Sequence, residues 1–171
     1  MDFFNFSSLN NELSMALRLV VAYLLSGLIG FEREKAQRPA GLRTHILVGV
    51  GSTAFMLIST YGFDGLGTAR DPARLAAQVV TGIGFIGAGA IWRSDANVGG
   101  LTTAASIWIT AAVGMMVGVG MYVMATLVTL MAWFTLRWLK PANHRRVPRV
   151  KNKRYGEPSL IRDADDPDDF N

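Results

Sequence analysis

Residues 78–108 read QVVTGIGFIGAGAIWRSDANVGGLTTAASIW. Two runs rich in glycine and other small residues flank a short polar segment. The pattern predicts two helices that approach closely, joined by a hairpin that Gly99 and Gly100 close. From Ala96 to Leu136 the chain has 41 residues without one charge. A single helix of that length would reach about 60 Å, twice the hydrocarbon thickness of a bilayer. The run therefore predicts two spans, with the break at Gly118-Val119-Gly120.

Working outward, the same reasoning predicts an all-α membrane protein, a bundle of five transmembrane helices at 13–31, 44–61, 75–92, 102–117 and 121–139. Residues 1–12 are expected as a short segment outside the membrane, and 140–171 as a disordered cytoplasmic tail, basic and then acidic. No basic n-region precedes the first apolar run, which is therefore expected to be a retained span and not a cleaved signal. Asn10 or Asn11 is expected to cap that span, and Asp71-Pro72 to start the third. Ala22, Ser26 and Gly30 form a small-residue stripe at i+4 spacing, suited to close helix contact.

Composition agrees. Of 171 residues, 50% are hydrophobic and 18% charged, and the charges cluster between the apolar runs. The net charge of +4 thus belongs to loops flanking spans and gives no reason to expect nucleic acid. Arg33, Lys35, Arg38, Arg43, Arg93 and the basic residues from Arg137 onward fall on one side, with Arg70 and Arg74 opposite. By the positive-inside rule the N-terminus is expected outside and the C-terminus in the cytoplasm. With no cysteine, disulfides and thiolate chemistry are excluded.

Gly82-Ile83-Gly84-Phe85-Ile86-Gly87 matches GxGxxG, but a dinucleotide site needs a preceding strand and an acidic residue about 20 positions on. The motif lies inside an apolar span, and no Asp or Glu occurs from 96 to 156. Packing is the expected role of Gln78, Gly82, Gly84, Gly87 and Gly89, with lining of an intramembrane pathway as the alternative. Thr102, Ser106, Thr110, Gly114 and Gly118 form a small face on the fourth span, expected to meet the glycines of the third. Thr102 or Thr103 is expected as that span's cap.

No carboxylate lies in the middle of any span, which disfavours a carrier for dehydrated cations. Nor does any arrangement resemble a catalytic centre, so no enzymatic activity and no cofactor or metal site are expected. Two polar residues sit in or beside spans. Arg18 is read as snorkelling to the interface, the sharper alternative being a buried functional charge. His45 is read as structural. The candidate functional surface is the expected cytoplasmic face: Glu32, Arg33, Glu34, Arg38, Arg43, Arg93, Thr102 and Thr103. Its charges either pair and anchor helices or dock another membrane complex.

Several ordered blocks resemble the MgtC/SapB family. They are Gly27-Leu28-Ile29-Gly30-Phe31-Glu32-Arg33-Glu34, Arg38-Pro39-Ala40-Gly41-Leu42-Arg43-Thr44-His45, Ala76-Ala77-Gln78-Val79-Val80, the glycine motif above, and Gly100-Leu101-Thr102-Thr103-Ala104-Ala105-Ser106-Ile107-Trp108. The resemblance implies a bacterial inner-membrane protein that acts in Mg²⁺ limitation or related stress, in a family linked to virulence. It further implies a regulatory or accessory role, with another inner-membrane complex such as the ATP synthase as partner. Transport of Mg²⁺ or another small ion is the alternative. A homo-oligomer is a further expectation. Longer members of that family carry a soluble ACT-like C-terminal domain, and this chain is expected to be a short form without it.

Overall fold

The computed structural model describes residues 6–63, 71–94 and 97–139. The expected tail at 140–171, the 64–70 link and the first five residues of the expected N-terminal segment lie outside the described residues. The described chain contains five helices and one small hairpin: α1 (Phe6–Lys35), α2 (Leu42–Tyr61), α3 (Pro72–Gly89), β1 (Trp92–Ser94), β2 (Asn97–Gly99), α4 (Leu101–Gly118) and α5 (Tyr122–Trp138).

α1 is longer than its sequence suggests. It runs 30 residues, about 45 Å, straight through Asn10 and Asn11, so neither caps it. Its end is fixed by a Schellman arrangement. The Arg38 N–H donates to the Arg33 carbonyl at 3.0 Å and the Gln37 N–H to the Glu34 carbonyl at 2.9 Å. Gln37 takes the left-handed position at φ 52°, which glycine usually fills. α2 then begins with its first amide held from outside the helix: the Leu42 N–H donates to a Glu34 carboxylate oxygen at 2.9 Å.

Asp71 caps α3 as expected, accepting from the Ala73 N–H at 3.1 Å with Pro72 at the first turn. α3 stops at Gly89, short of the expected Trp92, because Trp92 is taken by the hairpin. There it pairs with Gly99 in an antiparallel register. Gly100 enforces the return at φ +85°, where an added Cβ would lie 1.9 Å from the Ala90 carbonyl oxygen. Gly100 also precedes α4 without any side-chain cap, so the expected capping by Thr102 or Thr103 does not occur.

The break between α4 and α5 falls where the sequence places it. All four terminal carbonyls of α4 are satisfied. Met115 accepts from Val119, Met116 from Met121 and Val117 from Gly120, and Arg18 donates to Gly118 at 2.7 Å. Gly120 supplies the left-handed residue at φ +87°.

α4 is the central element and packs against all four other helices. α2 and α1 complete the interior, while α3 and α5 flank it. One buried apolar cluster joins Val79 and Ile83 of α3 to Ile107 and Ala111 of α4. A second joins Ala22 of α1, Val113 and Val117 of α4, and Ala125 of α5. Three helical segments are long and apolar enough to cross a membrane: Asn11–Lys35, Leu42–Tyr61 and Leu101–Gly118. The apolar segment of α3, Ala73–Gly89, is shorter, and α5 has 17 residues. The chain is thus a helical membrane protein, with three segments of full spanning length among the described residues.

Candidate functional site

The interior seam is built by glycines and hydroxyls of α1, α2 and α4. An added Cβ on Gly49 would lie 2.5 Å from the Ser26 Cβ, and one on Gly114 would lie 2.3 Å from the Gly49 carbonyl oxygen. Backbones this close leave no room for side chains, and small residues are what permit the approach. The hydroxyls are spent on carbonyls in the seam. Thr53 donates within the contact between Gly49 O at 3.0 Å and Gly114 O at 2.7 Å. Ser26 donates to Ala22 O at 2.6 Å, and Thr110 to Ser106 O at 2.8 Å.

This corrects the expected pairing. The small face of α4 was expected against α3, yet Gly114 and Gly118 meet α2, where Gly49, Ser52, Thr53 and Met56 receive them. On α3, Gly82, Gly84 and Gly89 have open space where a Cβ would go. Gly87 alone of that motif faces α4, at 3.8 Å from Ala104. The physical reason is that glycine permits close approach without selecting a partner. Val79 and Ile83 supply the buried contact of α3, and that orientation turns Gly82, Gly84 and Gly89 outward.

One end of the bundle gathers most of the charged candidates. Glu32 and Arg33 are both buried and paired, with Arg33 Nε donating to Glu32 Oε2 at 2.6 Å. Arg33 Nη2 also donates to the Leu136 carbonyl at 3.1 Å, which ties the last turn of α5 to α1. His45, fully buried, reaches Gly41 O at 2.8 Å through Nδ1 and Ser106 Oγ at 3.1 Å through Nε2. A carbonyl only accepts, so Nδ1 carries a proton, and in the neutral ring Nε2 accepts from the Ser106 hydroxyl. The Thr103 carbonyl, 2.8 Å from that hydroxyl, competes with Nε2 for its single proton. His45 thereby joins the start of α2 to the start of α4.

These contacts place the 36–41 link, the hairpin and the end of α5 at the same end of the bundle. Glu34, Arg38, Arg43, Arg93 and Thr102 are exposed there, whereas Glu32, Arg33 and Thr103 are interior. The candidate face therefore splits into a buried anchor and an exposed charged rim.

Two grooves open sideways between helices. One, of about 470 Å³ between α2 and α3, is lined by Gln78, Gly82, Gly51, Ser52 and Phe55 among others. The other, of about 830 Å³ between α4 and α5, is lined by Thr102, Ser106, Trp108 and Thr135 among others. Gln78 and Ser106 thus belong to different grooves.

Three contributors escaped the sequence reading. The Gly49 face of α2 carries small residues at spacings three and four, so its signal was present. The carbonyls of Leu136 and Gly118 as partners of two arginines left no signal, because backbone acceptors are the same at every residue.

The MgtC family's sequence profile matches residues 19–145, which include most of the described helical bundle. The chain belongs to the MgtC family. It is 47% identical over 145 residues to the Escherichia coli strain K12 protein named "Putative magnesium transporter YhiD", covering 81% of this chain and 65% of that protein. It is 47% identical over 112 residues to "Protein MgtC" of Brucella abortus strain 2308, covering 66% and 45% respectively. With "Protein MgtC" of Salmonella paratyphi A it shares 46% identity over 144 residues, covering 81% and 60%. This MgtC-family chain thus spans less than two thirds of the length of these curated relatives. No solved structure matches it.

Proposed function

We propose that this MgtC-family chain is a five-span inner-membrane protein, with its N-terminus outside and its charged rim in the cytoplasm. There it acts without catalysis, as a regulatory or accessory subunit that docks on another inner-membrane complex under Mg²⁺ limitation or related stress. In this reading α3 and α5 cross the membrane beside the three longer helices, and all basic loop residues but Arg70 and Arg74 face inward. The ATP synthase is the first partner to test, on the strength of the family resemblance.

One observation carries the reading: the seam where a pathway through the bundle would run is packed shut. Gly49, Gly114 and Ser26 bring backbones into contact, and the hydroxyls of Thr53 and Thr110 are held by backbone carbonyls. The groups left for recognition are then Arg38, Arg43, Arg93 and Thr102 on the exposed rim. The second reading, Mg²⁺ transport, is favoured by the name of the Escherichia coli relative.

Native membranes carrying tagged wild type and an R38E/R43E/R93E variant test the first reading by crosslinking and co-purification. A partner complex is expected with wild type and is expected to be lost with the variant. Purified protein in liposomes tests the second. Mg²⁺ flux above that of empty vesicles, reduced when Gln78 is changed, would overturn the accessory role.

A further inference from the structure

Arg18 has a feature that neither reading uses. Its Nη1 donates to Gly118 O at 2.7 Å, and its Cζ lies 5.4 Å from the centroid of the Tyr61 ring. Its Nε is buried without a hydrogen-bond partner. Arg33, on the same helix, has a carboxylate at 2.6 Å, and among the described residues Arg18 has none within an ion-pair distance. A guanidinium presents five N–H donors and a full charge, and one carbonyl and one ring leave most of that capacity unused. A charge held inside a membrane is costly; such residues pair with other charges or with backbone carbonyls, or reach the interface, and the Gly118 carbonyl takes only one of the donors of Arg18.

The geometry says which edge lacks a partner. With Nη1 on the carbonyl, the remaining edge is Nε with Nη2, whose two parallel N–H groups fit two oxygens of a carboxylate or phosphate. Gly120 lies alongside this group. A Cβ added there would come 3.9 Å from Arg18 Cζ and Nη2, so glycine leaves that flank uncovered. Depth says which anion is at hand. Arg18 and Arg33 are 15 residues apart on one helix, about 22 Å, against a hydrocarbon core of about 30 Å. With Arg33 near one boundary, Arg18 falls about 8 Å inside the other. An arginine stem spans that distance to the headgroup layer.

We propose that Arg18 is a binding site for an oxyanion, the phosphodiester of a membrane phospholipid in the leaflet at the α1 N-terminal side. The phosphate oxygens take the Nε–Nη2 edge while Nη1 stays on the Gly118 carbonyl. Because Nε is buried, this binding requires the guanidinium to turn so that Nε reaches the phosphate. The site rests on the chain lying in a membrane and is independent of whether that chain regulates or transports.

The test uses the full chain, delipidated in phosphate-free detergent, as wild type, R18Q and R18K. Phosphatidylglycerol and inorganic phosphate are titrated separately, with melting temperature and the Arg18 Nε–H NMR signal as readouts. Phosphatidylglycerol is expected to raise the melting temperature of wild type and to shift the Nε–H signal. Inorganic phosphate at the same concentration is expected to do neither. R18Q is expected to bind the lipid at least about tenfold more weakly, from loss of a charge-assisted bidentate contact. Should R18Q fail to fold, R18K keeps a cation for Gly118 but lacks the paired edge, and the same weakening is expected of it. Equal lipid responses in R18K and wild type would overturn the proposal, as would no response in wild type. A response to inorganic phosphate matching that to lipid overturns the lipid source. Asp64 lies outside the described residues. If D64N, in place of lipid removal, shifts the Nε–H signal, the partner is a carboxylate of the chain and the proposal fails.

Discussion

Gly114 and Gly84 sit thirty residues apart in apolar helices, each within a run of small residues, and the molecule treats them oppositely. A Cβ at Gly114 would meet the Gly49 carbonyl oxygen at 2.3 Å, and a Cβ at Gly84 would meet nothing within 4 Å. The difference lies in neighbours that the local sequence does not name. α4 is surrounded by the other four helices, so its small face is consumed by contact. α3 lies at the flank, buried through Val79 and Ile83, and its glycines look outward. A glycine-rich run thus marks a capacity for approach, and the packing around it decides whether that capacity is used.

The largest effect that would test this contrast is expected at Gly114. G114L forces a branched side chain into backbone that has no give, and we expect the bundle not to assemble, seen as loss of the monodisperse peak in detergent gel filtration. G114A, the milder change, is expected to cost about 3 kcal/mol, at the upper end for overpacking. A G114A protein that melts with wild type would break the comparison at its closed end.

Next come Glu32 and Arg33, whose pairing holds the end of α5. R33M leaves the Glu32 carboxylate buried without its partner, and a loss of about 3 kcal/mol is expected. The double variant E32L/R33M is expected to recover part of that loss, since it removes both charges together. Melting curves of E32L, R33M and the double variant give the coupling, and strict additivity would show that the pair acts as two separate contacts.

A smaller effect is expected at His45. H45A removes the ring that bridges Gly41 O and Ser106 Oγ, and leaves both partners to other acceptors or donors. A loss of about 1–3 kcal/mol follows from the lost bridge between the two helices and the emptied volume. H45A is also expected to speed hydrogen exchange at the starts of α2 and α4 over that elsewhere, and uniform exchange would argue against a local clasp.

The smallest effect closes the comparison. G84A and G82A place a methyl in open space on a helix, so stability is expected to change by less than about 1 kcal/mol, towards higher stability. Melting temperatures of both beside G114A sharpen the contrast directly. A large loss in G84A would mean that the open face is covered in the membrane by another surface.

Much of the fold was legible in the chain. The uncharged run from Ala96 to Leu136 gave two helices, and Gly118-Val119-Gly120 gave their break, because a glycine in the left-handed position is a local requirement. Asp71-Pro72 gave the start of α3 for the same kind of reason, a cap that needs only its own neighbours. The end of α3 was misplaced by three residues. Trp92 is apolar enough to continue a helix, and only its pairing with Gly99, seven positions on, takes it away. Most of the candidate rim was legible too, since charges between apolar runs emerge at helix ends. That Glu32 and Arg33 are interior while Glu34 and Arg38 are exposed was not, because burial there depends on where α5 returns.

The sequence by itself determined the apolar segments, their breaks, the basic bias between them and the family. Each rests on composition or on a few adjacent residues. Only the tertiary structure decided which small face meets which, that α4 stands at the centre, and that two arginines of α1 hold the closing carbonyls of α4 and α5. Those outcomes depend on backbone groups and on approach between distant helices. Every residue offers the same carbonyl, so nothing in the letters marks the ones that matter.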